Sequence, residues 1–434
     1  MPRYRSVTSA RMHLQPIRAP HVGRGHPCPG RVVAAAAALV ALAVTGCGGG
    51  GPKLLQPSSR STSAVAVSAK TPQAGRKLGI PSLATKNTAR VAGADPVADA
   101  AGVARAVFPS VAPGTHPAAV TLAPSDDWAA AIAASVLMAP PIHAPVLLSG
   151  SGSLPAATAD ALSALAPTGS GAANGAQVIR IGPVPAVSGK KVAAIKGADP
   201  YALAAGIDRF VSAVAGRPST HVMVASTSAP AYAMPAAGWA AESGDPVLFV
   251  GATGVPAATR QALQAHQRPH IYVLGPPSVI SAATVAQLRK YGTVKRISGG
   301  DPAASSVAFA TYRDPGCAFG QPCAHIPNSF GWALRSPGHG YVLLNASRPL
   351  DAAAAAALSG SGDYGPDLLV TDPSTLPKSV LNYFLDYATP GFTEEGPTAA
   401  VYNHGWMIGD ESAISVAVQA EVDRLLEAVP QTSK

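Results

Sequence analysis

Three stretches of this chain repeat one another in the same order, and that constrains its fold more than any other feature. Pro145 to Pro155, Pro246 to Pro256 and Asp367 to Pro377 each hold an apolar run, a small polar loop and a closing proline ten positions on. Ahead of them stand Gly93-Ala94-Asp95-Pro96, Gly197-Ala198-Asp199-Pro200 and Gly299-Gly300-Asp301-Pro302. Behind them, Gly182, Gly275 and Gly409 precede Ser188, Ser281 and Ser415 by one constant gap. A period near one hundred residues is too long for a solenoid unit and suits a small α/β module. The reading is a triplicated module.

The amino-terminal 46 residues read as an address. Arg3, Arg5, Arg11, Arg18, Arg24 and Arg31 lead, with no acid, into an apolar run from Val32 to Val44. This is the charged region and short hydrophobic region of a secretory signal, too short for a comfortable membrane span. The start at Met1 gives a long charged region, and Met12 is an alternative first residue. Val44-Thr45-Gly46-Cys47 resembles the bacterial lipobox, which implies cleavage before Cys47 and diacylglycerol on its thiol; the bland alternative is an ordinary signal with a chance cysteine. Losing the six arginines takes the 32 basic residues to 26 against 23 acidic, so the formal charge falls from +9 to +3. An apparently basic protein becomes nearly balanced, which leaves no electrostatic case for nucleic acid.

Once Cys28 leaves with the signal and Cys47 takes lipid, Cys317 and Cys323 remain. In an exported chain such a near pair reads as a disulfide. A metal site completed by His325 and His339 is the rival, but zinc-ligand pairs are usually spaced more tightly. Hydrophobic residues make up 47% of the chain and aromatics only 5%, so its cores must be built from Ala, Val, Leu and Ile. Close packing of helix on sheet through alanine follows.

Residues 47–88 are Gly-, Ser- and Thr-rich, lack periodicity and read as a flexible tether. The modules span 89–190, 191–292 and 293–430, the last carrying an insertion at 314–338 with both remaining cysteines. In the first module, Asp95-Pro96 reads as a helix start, with the carboxylate capping free amides and proline in the first turn. Strands are expected at 118–123, 145–148 and 177–181, helices at 127–137 and 156–165, and a last helix capped by Ser188. The second module has strands at 221–225, 246–250 and 270–274 and a helix at 282–291. The third has strands at 341–344, 367–370 and 399–402 and a helix at 416–428. Alternating β and α with continuous apolar strands implies parallel sheets covered on both faces.

These residues carry a family resemblance. The pattern resembles the cell wall-binding repeat 2 module, found in tandem threes on Gram-positive surface proteins. Its basic-apolar-x-Gly-x-Asp opening looks like Arg90 to Asp95 and Arg296 to Asp301, and its Asp-Ala-Leu-Ala-Ala helix start looks like Asp127 to Ala130 and Asp351-Ala352. Its Pro-Ile-Leu-Leu strand matches Pro145 to Leu148 and Pro246 to Phe249, and its Ile-Gly-Gly turn matches Ile181 to Pro183 and Leu274 to Pro276. The resemblance implies three Rossmann-like modules around a pseudo-threefold axis and non-covalent attachment to anionic envelope polymers. There are departures: the family's Arg-Tyr after the opening aspartate is absent, the middle repeat lacks the helix-start aspartate near Tyr232, and Asp367 stands for the third strand proline.

The best ligand candidates are the three loops after each module's second strand, since open parallel sheets bind ligands beyond their strands' carboxyl ends. They are Ser149, Gly150, Ser151 and Gly152; Val250, Gly251 and Thr253; and Thr371, Asp372 and Ser374. The competing reading is tight turns that need Gly, Ser and Asp for geometry alone. Gly360 to Gly365 matches a dinucleotide fingerprint on paper but precedes a strand instead of following one. No nucleophile elbow, P-loop or zincin motif is present, so no catalytic residue, metal or cofactor is assigned. Asp127 reads as a helix cap, and Phe330 and Trp332 as packing of the insertion more than as a sugar platform. The sequence thus reads as an exported, monomeric, non-enzymatic surface lipoprotein binding cell-wall polymer or glycan, with the membrane reached through lipid. A transporter's solute-binding lipoprotein, or a scaffold that has lost polymer binding, is the alternative.

Overall fold

Every opening Gly-x-Asp-Pro turns the chain from a short strand into a helix, and close approach explains its glycine. A Cβ on Gly93 would sit 2.5 Å from the Asp99 amide nitrogen, one on Gly197 2.6 Å from that of Leu203, and one on Gly299 2.4 Å from the Ala304 carbonyl carbon. Only glycine lets the strand end lie that tightly on the helix's first turn. The aspartates then cap: Asp95, Asp199 and Asp301 accept from the Ala98, Ala202 and Ala304 amides at 2.9, 2.7 and 2.8 Å.

The computed structural model describes residues 83–315, 329–332, 340–361, 365–387, 391–393, 396–397, 404–427 and 429–430. The signal, most of the tether, all four cysteines, most of the insertion and the strand expected at 399–402 lie outside them. The first stretch runs β1 (Leu83–Ala84), β2 (Thr88–Val91), α1 (Pro96–Val107), β3 (Val120–Pro124), α2 (Trp128–Ala134), β4 (Val146–Ser149), α3 (Ala156–Leu165) and β5 (Val178–Ile181). The second runs β6 (Val192–Ile195), α4 (Pro200–Ala215), β7 (His221–Ser226), α5 (Pro230–Ala233), α6 (Pro235–Ser243), β8 (Val247–Val250), α7 (Ala257–Ala265), β9 (His270–Leu274) and α8 (Ala282–Leu288). The third begins β10 (Thr293–Ile297), α9 (Pro302–Ala310), β11 (Gly340–Asn345), α10 (Pro349–Ser359), β12 (Asp367–Val370) and α11 (Lys378–Asn382). It ends with β13 (Gly391–Thr393), β14 (Gly396–Pro397), β15 (His404–Ile408), α12 (Val416–Leu425) and β16 (Val429–Pro430).

Three mostly parallel sheets share one strand order: β4-β3-β5-β6, β8-β7-β9-β10 and β12-β11-β15-β2, with β1 added antiparallel beyond β2. The fourth strand of each sheet comes from the next repeat, and the first repeat's β2 completes the last sheet. β2 runs parallel to β15, with Gly405 opposite Thr88 and Ile408 opposite Val91. Sheet boundaries therefore cross repeat boundaries. The opening strands β2, β6 and β10 were missing from the sequence reading. β13, β14 and β16 form a separate small sheet.

The alanine runs explain the centre. Helices α2 and α10 follow β3 and β11, and α6 follows β7 by way of the short α5; in them Ala129 to Ala134, Ala236, Ala237, Ala240, Ala241 and Ala352 to Ala357 are buried in one shared core. α10 packs on α1, α2 and α6. Side chains this small let helices approach closely while burying apolar area. Phe330 and Trp332 are fully buried, with Phe330 stacked on Tyr272 at 3.6 Å and Trp332 edge-on to Trp239 at 5.3 Å. The described end of the insertion packs onto the second repeat.

Two expectations are corrected. No helix follows Ser188: Gly189 takes φ +71°, and only three residues separate Ser188 from β6. Ser281 and Ser415 do cap helices, accepting from the Thr284 and Val418 amides. The third-repeat strand that pairs with β11 is His404–Ile408. Finally, the third repeat keeps its strand proline. Carbonyls of Pro145, Pro246 and Pro366 accept equivalently from Thr121, Met223 and Val342, so Asp367 stands where Val146 and Val247 stand.

Candidate functional site

The three sequence-picked loops lie where expected, each beyond the carboxyl end of an edge strand of a different sheet. Ser149 is buried and donates to the Gly150 carbonyl, while Ser151 and Gly152 are exposed. Beyond buried Val250, Gly251 and Gly254 exchange both backbone hydrogen bonds at 3.0 and 3.2 Å, leaving Thr253 exposed. Thr371, Asp372 and Ser374 are exposed, and the Ser374 amide and hydroxyl both donate to Asp372 Oδ1, at 2.8 and 2.7 Å. Those two bonds hold the Asp372 carboxyl below the usual range. Much of the polar character in the second and third loops is spent on the turns themselves.

A different crevice follows from the strand order. The chain passes from β3 to β4 on one side and returns to β5 on the other, so β3 and β5 flank a topological switch point, the usual ligand crevice of such sheets. There the loops after β3, β5 and β6 enclose a cavity of about 620 Å³. Asp126, Asp127, Lys196 and Asp199 supply its charge, and Pro124, Pro183, Pro200 and Leu203 its apolar wall. Asp127 caps α2 through the Ala130 amide at 3.0 Å, as its sequence position implied. Burial pushes its carboxyl up, opposed by the backbone bonds it accepts.

The equivalent place in the third sheet is filled with charge. Arg348, after β11, pairs with Asp99 Oδ2 at 2.6 Å and with Asp351 Oδ2 at 2.6 Å, and both carboxylates are fully buried. Burial and the neighbouring Asp351 charge raise Asp99 to about 8, with Arg348 and the Gly93 amide opposing. Burial raises Asp351 to about 6 against the pull of Arg348. Counterparts of Asp99 in the other opening helices are Leu203 and Ser305, so the first crevice meets an apolar side chain where the third holds an ion cluster.

A second departure also keeps the first crevice open. Arg90 on β2 donates to the carbonyls of Gly409 and Asp410 at 2.9 and 3.0 Å, and Arg296 on β10 donates to those of Gly275 and Ile280. Each arginine ties down the glycine turn after the neighbouring third strand. The matching β6 residue, paired with Arg180, is Ala194, so no arginine of that strand holds the turn on the cavity wall, and Arg180 on β5 donates instead to its Val184 carbonyl at 3.3 Å.

Residues 194–285 match the model of the family described as Cell wall binding domain 2 (CWB2), the family that the sequence pattern resembles. The match runs from β6 into α8 and takes in the second repeat. Among solved structures the fold resembles Cwp8 from Clostridium difficile, with TM-score 0.58 and 16% identity over 79% of this chain and 52% of that one. Cwp6 from Clostridium difficile matches with TM-score 0.59 and 16% identity over 78% of this chain and 48% of that one. This chain thus spans about half the length of each. No curated protein matches it.

Proposed function

We propose that this chain is a non-enzymatic protein of the bacterial surface whose repeats bind cell-wall polymer non-covalently, with the membrane reached through lipid on Cys47. The observation that carries this reading is the match of residues 194–285 to Cell wall binding domain 2, set in a chain whose three sheets repeat one strand order. Weak sites on one rigid body gain by avidity what a charge of +3 cannot supply. The candidate contacts are the three edge-strand loops, named from sequence, and the crevice beyond β3 and β5.

The test uses the full mature chain carrying Cys47→Ser, to separate wall binding from lipid. It is expected to co-sediment with purified Gram-positive cell walls and to lose binding when the walls are stripped of secondary polymers. Failure to sediment with either preparation sinks the wall-binding reading. In cells, labelled palmitate should enter the native chain and not the Cys47→Ser variant; equal labelling of both removes the lipid claim.

A further inference from the structure

The crevice beyond β3 and β5 is one end of a groove. Lys196 lines both the crevice and a second cavity of about 620 Å³ between α4 and α7, floored by Ala202, Ala205 and Ala262. Asp208, Ser212 and Pro218 line that cavity and also a third, of about 200 Å³, near the amino ends of β7 and β8. The three cavities follow the 16-residue α4 from its first turn to its last, roughly 24 Å at helical rise. Such a shape suits an extended chain better than a compact solute, which would want one enclosed pocket.

Charge is uneven along this groove. At the crevice end Asp126, Asp127 and Asp199 outnumber Lys196 on the lining, and the nearest arginine, Arg180 on β5, is turned to the Val184 carbonyl of the adjoining turn at 3.3 Å. Farther along, Arg209 joins Lys196, and the buried Asp208 is already held by His266 Nε2 at 3.0 Å from both carboxylate oxygens. A cationic group gains at the crevice, and an anionic one is repelled there. Pro183 and Pro200 offer the apolar faces on which a sugar ring can rest.

We propose that this groove binds an extended glycan whose unit in the crevice carries a free amine, held by Asp126 and Asp199. The proposal rests on the wall-polymer reading and narrows it, because an exclusively anionic polymer does not fit this end of the groove. Asp126 and Asp199 are exposed, and an ammonium–carboxylate pair at such positions is worth up to about fivefold in affinity.

The test is calorimetric titration of the full mature chain carrying Cys47→Ser with a β-1,4-linked glucosamine hexamer and with its fully N-acetylated counterpart. The amine form is expected to bind about fivefold tighter. A double variant, Asp126→Asn with Asp199→Asn, keeps a good cap on α4 and should lose that preference without a change in melting temperature. Gln261→Trp, at an exposed position on the α4–α7 cavity, should weaken the hexamer and leave the glucosamine dimer unchanged. Equal affinity for both hexamers, or a preference that survives in the double variant, overturns the proposal. So does absence of hexamer binding in a protein that still sediments with cell walls, and then the wall-polymer reading survives alone. If neither the hexamers nor the walls bind, both readings fall together.

Discussion

Asp367 stands where the other repeats place Val146 and Val247, fully buried, with Oδ2 accepting from the Gly238 amide at 3.1 Å. That amide lies in the first turn of α6, which Pro235 starts anew after α5, so a carboxyl from the third repeat caps a helix of the second. Its other oxygen has no partner among the described residues, and burial raises the group to about 8. The unfolded chain titrates near 3.9, so folding holds the proton more tightly. The corresponding stability is complete below the unfolded value and is lost as pH rises through the folded one, at up to about 1.4 kcal/mol per pH unit. Asp99 and Asp351 are raised as well and tilt the curve the same way, so the informative quantity is the difference from a variant. Asp367→Asn keeps an acceptor for Gly238 and removes one titration. Melting temperatures from pH 5 to 9 should diverge, the native chain falling away from the variant until about pH 8. Parallel curves would show that Asp367 ionises in the fold as it does outside it. The aspartate caps were legible in the sequence because aspartate before proline states its own geometry. Asp367 was misread because the third loop holds one extra residue, so the count back from Pro377 missed Pro366.

The same contrast holds for whole elements. Helices at 156–165 and strands such as His270–Leu274 were placed to the residue because their periodicity is strong and their ends carry proline or glycine. The opening strands carry weak local signals, because Arg90, Lys295 and Arg296 interrupt β2 and β10 and β6 is a short run with exposed positions. Their partners lie far away in sequence, which no local pattern encodes. The open crevice was invisible for the same reason, since three loops from two repeats create it. β2 shows how much such a strand can matter. Arg90 is buried, its Nε donates to Gln419 Oε1 at 2.9 Å and its Nη1 to two carbonyls, and Asn87 reaches Asp423 beyond it. Removing that guanidinium leaves buried acceptors unpaired. Arg90→Ala should cost about 2–4 kcal/mol, read from the shift in urea midpoint, with hydrogen exchange speeding first at β15. Arg296→Ala, whose guanidinium is less buried, should cost less. Equal losses for the two would mean that closure of the third sheet by β2 is not special.

At the scale of the molecule, the exchange of opening strands turns three repeats into a closed arrangement. In a linear repeat array each unit touches only its neighbours, and a terminal unit can be removed at modest cost. Here the first repeat's β2 lies beside β15 of the third, and α10 packs on helices of both earlier repeats, so the chain has no end unit. The described residues accordingly form one compact unit, without division at repeat boundaries. Two consequences follow for folding. Each sheet is complete only when the next repeat is present, and the third only when the chain's two ends have met, so its contacts are distant in sequence and formation should be slow. Unfolding should then be a single transition, since losing any repeat strips a strand from one neighbour and the helix packing from both. Calorimetry of the mature chain should give one endotherm whose calorimetric and van't Hoff enthalpies agree. A fragment of residues 191–297 holds the whole second sheet but leaves β6 unpaired, and it should show no cooperative melt. Three resolved endotherms, or a fragment that melts cooperatively, would return the molecule to a string of independent modules. In that case the groove along α4, which needs loops from two repeats, would have to be stable within a single pair.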